Sequence, residues 1–164
     1  MKNTLLVVSD LGGFKAYRLD NGRFNRTPRL ELLEEFQNAG AHDRLGAKVT
    51  DLSGRFPRGT GTSNLTGAMS DGERHNIGLE WRKRLVRQLA VRLNPLMRSP
   101  DVECCYLAAS REINHQLLDE LDAQVRSKIE KNLSADLTKT DKSELLRHFQ
   151  PAVPPGAPDL RSFA

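Results

Sequence analysis

Residues 5–22 read LLVVSDLGGFKAYRLDNG, and this stretch predicts how the fold begins. Leu5–Val8 is a continuous apolar run, which is typical of a strand buried on both faces of a sheet. Phe14–Leu19 predicts a second strand after the glycine pair. The Asn21-Gly22 pair that follows favours a tight turn, because both residues tolerate positive φ. Together these features predict the start of an antiparallel meander.

The next segment, Leu30–Asn38, fits two structures. Its leucines and glutamates are good helix formers, whereas Leu30, Leu32 and Phe36 also fit one face of a strand. We prefer the strand, because the segment lies between stretches that resemble hairpins.

The clearest helix runs from about Asp71 to Leu93, and Pro95 is expected to help end it. Apolar residues recur every four positions at Ile77, Trp81, Leu85, Leu89 and Leu93. This spacing predicts a stripe that faces the core, and it assigns Trp81 to the core rather than to base stacking.

The second half alternates strands and helices. The pattern predicts a strand over Val102–Ala109, a helix capped by Ser110 and carrying Ile113, Leu117, Leu121 and Val125, a strand over Ile129–Leu133, and a helix from Thr140 or Asp141 to Phe149. This order predicts a single α/β domain over residues 1–149, with a mixed sheet flanked by helices. Residues 150–164 contain four prolines, and we expect a flexible C-terminal arm.

The bulk properties fit a globular protein and leave its partners open. The chain has 164 residues and a formal charge of +4, with a pI near 9.3. This mildly basic balance permits contact with nucleic acid without requiring it. No run approaches the roughly 20 apolar residues that span a bilayer. We therefore expect a cytoplasmic protein without membrane insertion.

Three sets of short motifs, in order along residues 3–149, resemble the bacterial host-attachment protein family. They are Val7-Val8-Ser9-Asp10 followed by Ala16–Leu19, then His42-Asp43-Arg44 with Asp51–Phe56, and finally Ala108-Ala109-Ser110-Arg111 followed by Asp136–Lys139 and Glu144–Leu146. The chain departs from the family pattern in having Ser110 for Pro, Ala135 for Lys and Lys139 for His. The resemblance also favours a strand over Leu30–Asn38.

That family is in turn similar to the middle domain of archaeal and eukaryotic class 1 peptide-chain release factors. The resemblance implies a similar fold, in which a Gly-Gly-Gln loop precedes a basic helix and reaches the ribosomal peptidyl-transferase centre. Here Gly59-Thr60-Gly61 precedes Glu73-Arg74-His75-Asn76 in the same order. No Gln lies between Asn38 and Arg87, so we do not expect this loop to hydrolyse peptidyl-tRNA.

A Gly-rich stretch from Ser53 to Gly72 is the first candidate binding segment. Backbone N–H groups around Gly59 and Gly61 could face a phosphate, with Arg55 and Arg58 as counter-charges. The segment lacks the Gly-Lys-Ser/Thr ending of a P-loop. A solvent loop explains the same composition, so both interpretations stay open.

The basic face of the helix that follows is the second candidate. It concentrates positive charge at Arg74, Arg82, Lys83, Arg84 and Arg87, as contacts to a phosphate backbone require. An ordinary solvated helix face gives the same pattern. The hypothesis is a binding module for structured RNA or the ribosome. A protein-interaction or stress-adaptor role is the alternative.

Evidence for catalysis or for a metal is sparse in the sequence. The four histidines are scattered, and no nucleophile motif is present. Ser9-Asp10 and Ser110, at predicted strand ends, are the positions that an unrecognised hydrolase would use. Cys104 and Cys105 are adjacent in a predicted strand, so they point to opposite faces and are poorly placed for a disulfide. A redox pair or a soft-metal site is the alternative to buried packing. We assign no catalytic residue, metal or cofactor.

Overall fold

The computed structural model describes residues 3–20, 28–41 and 71–149. The strands are β1 (Thr4–Asp10), β2 (Gly13–Asp20), β3 (Arg29–Gln37), β4 (Cys104–Ala109) and β5 (Ile129–Ser134). The helices are α1 (Asp71–Arg98), α2 (Asn114–Glu120), α3 (Ala123–Lys128) and α4 (Lys142–Phe149), and a short 3-10 helix spans Ala39–Ala41. The predictions for the Asn21-Gly22 turn, the Gly-rich stretch up to Ser70 and the C-terminal arm lie outside the described residues.

The strands form one mixed sheet in the order β3-β2-β1-β4-β5. β1 pairs antiparallel with β2, from Thr4 opposite Leu19 to Asp10 opposite Gly13. β2 pairs antiparallel with β3, whereas β4 runs parallel to both β1 and β5. The α/β prediction is confirmed, and so is the preference for a strand over Leu30–Asn38.

Alternation along β1 explains why the sheet carries two apolar layers. Leu5 and Val7 join a core covered by α1, α2 and α3. Leu6 and Val8 join a second core, closed by Leu145 and Phe149 of α4 on the opposite face. Successive strand residues point to opposite faces, so a continuous apolar run serves both layers.

Helix α1 departs from the prediction at the N-terminal end of its apolar stripe. Leu85, Val86, Leu89, Ala90 and Leu93 are buried, but Ile77 is 40% exposed and Trp81 is half-buried. Each four-residue step rotates a position by about 40° around the helix, so Ile77 and Leu93 point roughly 160° apart. A stripe at strict four-residue spacing therefore cannot face one core along its whole length.

Pro95 lies inside α1 and does not end it, contrary to the prediction. A residue with an N–H at this position would have donated to the carbonyl of Val91. The side chain of Val91 is 71% exposed, so this turn of the helix faces solvent. Water can satisfy that carbonyl, which limits the cost of the proline. Met97 is fully buried two residues later, so packing holds the last turn in place.

The predicted helix after β4 is interrupted. Its buried stripe of Ile113, Leu117, Leu121 and Val125 is confirmed, but Leu121 and Asp122 adopt extended conformations between α2 and α3. Ser110 does not cap α2 through its side chain: Ile113 is the N-cap residue, without a side-chain cap bond. The backbone carbonyl of Ser110 instead accepts the N–H groups of Ile113 and Asn114.

Candidate nucleic-acid interface

A surface groove lies between the N-terminal two-thirds of α1 and the end of β3 with the 3-10 helix. We call it the α1–β3 groove; its volume is about 1260 Å³. Phe36, Asn38 and Gly40 line it from the β3 side, and Trp81, Arg84 and Arg92 line it from α1. It is larger than most small-molecule pockets, so it can take a segment of a polymer.

The β3 wall of the groove is fixed by contacts with the β1–β2 turn. A Cβ atom at Gly13 would lie 2.1 Å from the carbonyl oxygen of Phe36, and the φ of Gly13 is +155°. Only glycine lets the two strands approach this closely. The N–H of Asn38 also donates to the carbonyl of Gly12 at 2.7 Å. The start of β2 therefore determines where Phe36 and Asn38 lie.

Asn38 is a buried polar residue with an unsatisfied donor. It is 2% exposed, and its Nδ2 has no hydrogen-bond partner among the described residues. Its neighbour Gly40 packs closely on α1, since a Cβ there would lie 3.2 Å from Leu85 Cδ2. Asn38 therefore borders the groove, while its unpartnered Nδ2 is covered by the surrounding residues.

Aromatic rings and guanidinium groups meet across the groove. The Arg92 guanidinium carbon lies 5.4 Å from the centroid of the Phe36 ring, and Phe36 is supported from below by Phe14, with ring centroids 5.7 Å apart. Half-buried Trp81 lines the same groove. The groove therefore offers flat rings and delocalised cations side by side.

The charges around the groove are mainly positive. Arg84 and Arg87 line it together with Arg92, and Glu80 is the acidic residue beside them. Lys83 Nζ donates to Glu80 Oε1 at 2.9 Å, and this hydrogen bond, aided by charge attraction, lowers the pKa of Glu80. Arg87 Nε contacts Glu120 Oε1 at 3.3 Å. Within the described part of the chain, Arg84 makes no ion pair.

The structure brings together only part of the predicted basic face. Arg84 and Arg87 line the groove, Lys83 lies beside it through its pair with Glu80, and half-buried Arg82 does not line it. Arg74 belongs to the first turns of α1. Arg55, Arg58, Gly59 and Gly61 lie outside the described residues. Arg82, Lys83 and Arg84 are consecutive, so about 100° of rotation separates neighbouring side chains.

Sequence reasoning missed several groove residues. Arg92 is not among the predicted site residues, although Arg84, Gln88 and Arg92 follow i, i+4 spacing on one face. Trp81 was assigned to the core, and that assignment is wrong. Nothing in the local sequence marks Phe36 and Asn38, because Phe36 is placed by pairing with Phe14 of β2 and Asn38 by its backbone bond to Gly12.

The carboxyl ends of the strands carry a second polar cluster whose members bond to one another. Thr138 Oγ1 lies 3.2 Å from Asp10 Oδ2 and 2.7 Å from Asp136 Oδ1. Ser9 Oγ donates to the carbonyl of Gly13 at 3.1 Å. The backbone N–H of Ser110 bonds to the carbonyl of Ser9. These contacts hold the β1 and β4 ends to the segment after β5.

Other candidate chemistry in the described residues is limited. Cys104 and Cys105 are buried and free, and burial raises the pKa of Cys105 to about 12. His115 and Asp119 pair at 3.1 Å on an exposed helix face. Within ranges 3–20, 28–41 and 71–149, no group of three or more His, Cys, Asp or Glu is placed to hold a metal ion. None of the helices in these ranges is long and apolar enough to cross a membrane.

Comparison with known proteins identifies the family of the chain. Residues 5–149 match the model of a family described as protein required for attachment to host cells. Among curated proteins, none matches the chain.

Proposed function

We propose that this chain, which belongs to the family of proteins required for attachment to host cells, is a non-catalytic binding module that associates with RNA or the ribosome. The observation that carries the proposal is the α1–β3 groove, where Trp81 and Phe36 lie beside Arg84, Arg87 and Arg92. Aromatic rings stack on bases and arginines contact phosphates, so the two residue types together suit RNA.

The order of segments supports the same proposal. The similarity to class 1 release-factor middle domains, argued from the sequence, implies a ribosomal partner contacted by a Gly-rich loop and the helix after it. Residues 42–70 connect the 3-10 helix to α1 in the sequence. The 3-10 helix and α1 lie on opposite sides of the groove. We include Arg55, Arg58, Gly59 and Gly61 in the proposed contact surface, together with Arg74, Arg82 and Lys83 as flanking charges.

The same proposal explains host attachment indirectly. A cytoplasmic protein that binds RNA would alter attachment through gene expression rather than by adhering to a host surface. Recovery of the intact protein from the medium of unlysed cells would contradict this location. Cell fractionation with a cytoplasmic enzyme as the lysis control is the measurement.

The experiment that tests the proposal is co-sedimentation and crosslinking of the full chain with ribosomes and RNA from its own cell extract. We expect salt-sensitive recovery, because neutralised phosphates release counterions. The double variant Arg84→Glu/Arg87→Glu should reduce recovery by about tenfold or more, which corresponds to the loss of two phosphate contacts.

The matched control is Arg111→Glu/Lys139→Glu, which makes the same change in net charge at two exposed turn positions away from the groove. It should leave most of the recovery intact. Equal losses in the two double variants would show that only net charge matters. No enrichment of the unmodified chain over a control protein of equal charge would reject the proposal and favour a protein partner.

A further inference from the structure

The wall that α1 contributes to the α1–β3 groove carries exposed apolar side chains. Ile77 is 40% exposed and Val91 is 71% exposed. They are two of the four large hydrophobic residues that are exposed in the described part of the chain. Half-buried Trp81 lies between them in the sequence and lines the same wall. Exposed apolar side chains that share one groove are typical of a surface that binds a partner.

The α1 wall has the spacing of a helix that packs along another helix. The residues of one stripe line the groove at four-, three-, four- and three-residue steps, and they are Ile77, Trp81, Arg84, Gln88 and Val91. Steps that average about 3.5 residues keep side chains on one side of a helix. This stripe is separate from the buried stripe that packs on the sheet, so α1 has a second face suited to helix packing.

The dimensions of the groove match one side of a helix. The α1 residues that line it run from Asn76 to Arg92, which is about 24 Å along the helix axis. Half of a helix of that length, about 10–12 Å across, occupies about 900–1400 Å³. The groove has a volume of about 1260 Å³. A helix of about 16 residues therefore fits along α1 with one side buried and the other side in solvent.

The charges around the groove favour an acidic partner. Arg84, Arg87 and Arg92 line it. The carboxylate of Glu80 is paired with Lys83 at 2.9 Å, which offsets its negative charge. A helix with carboxylates on both sides of its apolar stripe would complement these charges, as the flanking residues of paired helices do.

This chain does not supply such an acidic segment itself. Residues 42–70 contain four basic and two acidic residues, and residues 150–164 contain one of each. Residues 1–2 and 21–27 contain basic residues and no acidic ones. The longest described helix, α1, is itself basic on its exposed face, so a second copy does not supply the charge either. The complementary helix therefore belongs to another protein.

We infer that the α1–β3 groove binds an amphipathic α-helix of a partner protein, with apolar residues at i, i+4 and i+7 and acidic residues on both flanks. The apolar residues pack on Ile77, Trp81 and Val91, and the acidic residues pair with the arginines of the groove. This inference goes beyond the proposed function and does not depend on RNA binding. Because both would occupy one groove, the helix would exclude RNA from it.

The aliphatic side chains favour a protein helix over RNA in this part of the groove. Bases stack on aromatic rings, and phosphates contact cations. Ile77 and Val91 provide neither, so bound RNA would offer their exposed surface no matching group. Apolar side chains of a helix would remove that surface from water, which stabilises the complex.

The test is selection of displayed helical peptides on the full chain. One library has about 18 residues per peptide, enough to span the groove, with varied apolar residues along one stripe and Asp or Glu on its flanks. A second library has Lys or Arg on the flanks, and a third scrambles the acidic pattern. We expect enrichment from the acidic amphipathic library, with affinities about tenfold or more above those of the Lys-substituted peptides. No enrichment over the scrambled library would overturn the inference.

Trp81 is the single tryptophan of the chain, so its fluorescence reports whether a selected peptide enters the groove. The peptides carry no tryptophan, and we expect a saturable change in the fluorescence of the protein. Binding without any change would place the peptide elsewhere and count against the inference.

Val91→Ser removes an exposed apolar contact with little risk to folding. It should weaken a selected peptide about fivefold or more, because the buried apolar area is smaller. The matched control is Leu32→Ser, which changes a 42% exposed residue of β3 outside the groove and should leave the affinity unchanged. Equal effects of the two variants, or no effect of Val91→Ser, would overturn the inference.

The outcomes separate the inference from the proposed function. Recovery of RNA or ribosomes without binding of any acidic peptide would overturn the inference and leave the proposed function intact. Peptide binding in the groove without RNA or ribosome association would support the inference and reject the proposed function. Displacement of bound RNA by a selected peptide would support both.

Discussion

At the scale of single residues, Gly13 determines the position of one wall of the groove. We expect Gly13→Ala to lower the free energy of unfolding by about 3 kcal/mol, because the new Cβ would meet the Phe36 carbonyl at 2.1 Å and the φ is +155°. Urea denaturation followed by circular dichroism measures the loss.

Gly78 in α1 provides the matched control for Gly13. A Cβ at Gly78 meets no atom within 4 Å, and alanine is the better helix former by about 0.5–1 kcal/mol. Gly78→Ala should therefore stabilise the protein. A similar response from the two glycines would show that the close approach at Gly13 is not what limits substitution there.

At the scale of elements, Asn94 joins three helices. Its Oδ1 accepts the N–H of Asp122, the residue that precedes α3, at 3.0 Å. Its Nδ2 lies 3.5 Å from the carbonyl of Glu120, the last residue of α2. Asn94→Ala should cost about 1–2 kcal/mol of stability, because both backbone groups at the α2–α3 break lose their partner.

Gln88→Ala, on the same helix, tests whether the Asn94 effect is specific. Gln88 is exposed, and we expect its replacement to change the free energy of unfolding by less than about 0.5 kcal/mol. The measurement is again urea denaturation. A loss in Asn94→Ala no larger than that in Gln88→Ala would show that the break between α2 and α3 is held by packing alone.

The limits of sequence reasoning are also clearest at the scale of elements. Local patterns located four of the five strands in the described residues. For Leu30–Asn38 the local pattern was ambiguous, and the position between hairpin-like segments together with the family resemblance favoured the strand. They failed where tertiary contacts decide the outcome. Burial of Met97 holds the helical turn that follows Pro95 in α1. The side chain of Asn94 accepts a backbone hydrogen bond from Asp122 where the chain breaks between α2 and α3. Neither contact could be read from spacing along the chain.

At the scale of the whole molecule, the central sheet couples cysteine ionisation to unfolding. Cys105 is fully buried on β4, and burial, with a smaller effect from Cys104 and against the effect of Lys128, raises its pKa to about 12. In the unfolded chain a thiol ionises near pH ~8.5. Below this pH the thiol of Cys105 is protonated in both the folded and the unfolded chain. Above this pH the unfolded chain loses the thiol proton while the folded chain keeps it. Stability should therefore fall as the pH rises from about 8.5 towards 12.

The control for this pH dependence is Cys105→Ala, which removes the thiol. The free energy of unfolding, measured by urea titration at several alkaline pH values, should fall less steeply in the variant than in the unmodified chain. Parallel slopes would show that Cys105 does not contribute to the alkaline loss.

The candidate site was harder to predict from the sequence than the helices and strands, because its residues come together only in the complete fold. The basic residues of α1 were visible in the sequence, but the groove forms only where β3, at the edge of the described sheet, lies opposite that helix. Phe36 owes its position to pairing with β2, Asn38 owes its position to the backbone bond to Gly12, and Trp81 owes its partial exposure to rotation around α1. A site shared between distant elements leaves no compact motif.

The central position of β1 also has a consequence for synthesis on the ribosome. β1 and β2 leave the exit tunnel early and can pair at once, but Thr4 must wait for Cys104, which lies 100 positions later. At bacterial elongation rates this delay lasts roughly 5–20 s. For that time, one side of a nascent strand with a continuous apolar run has no backbone partner from β4. The newborn chain is therefore most prone to misassembly before its second half emerges, and chaperones that act on nascent chains would protect it in this interval.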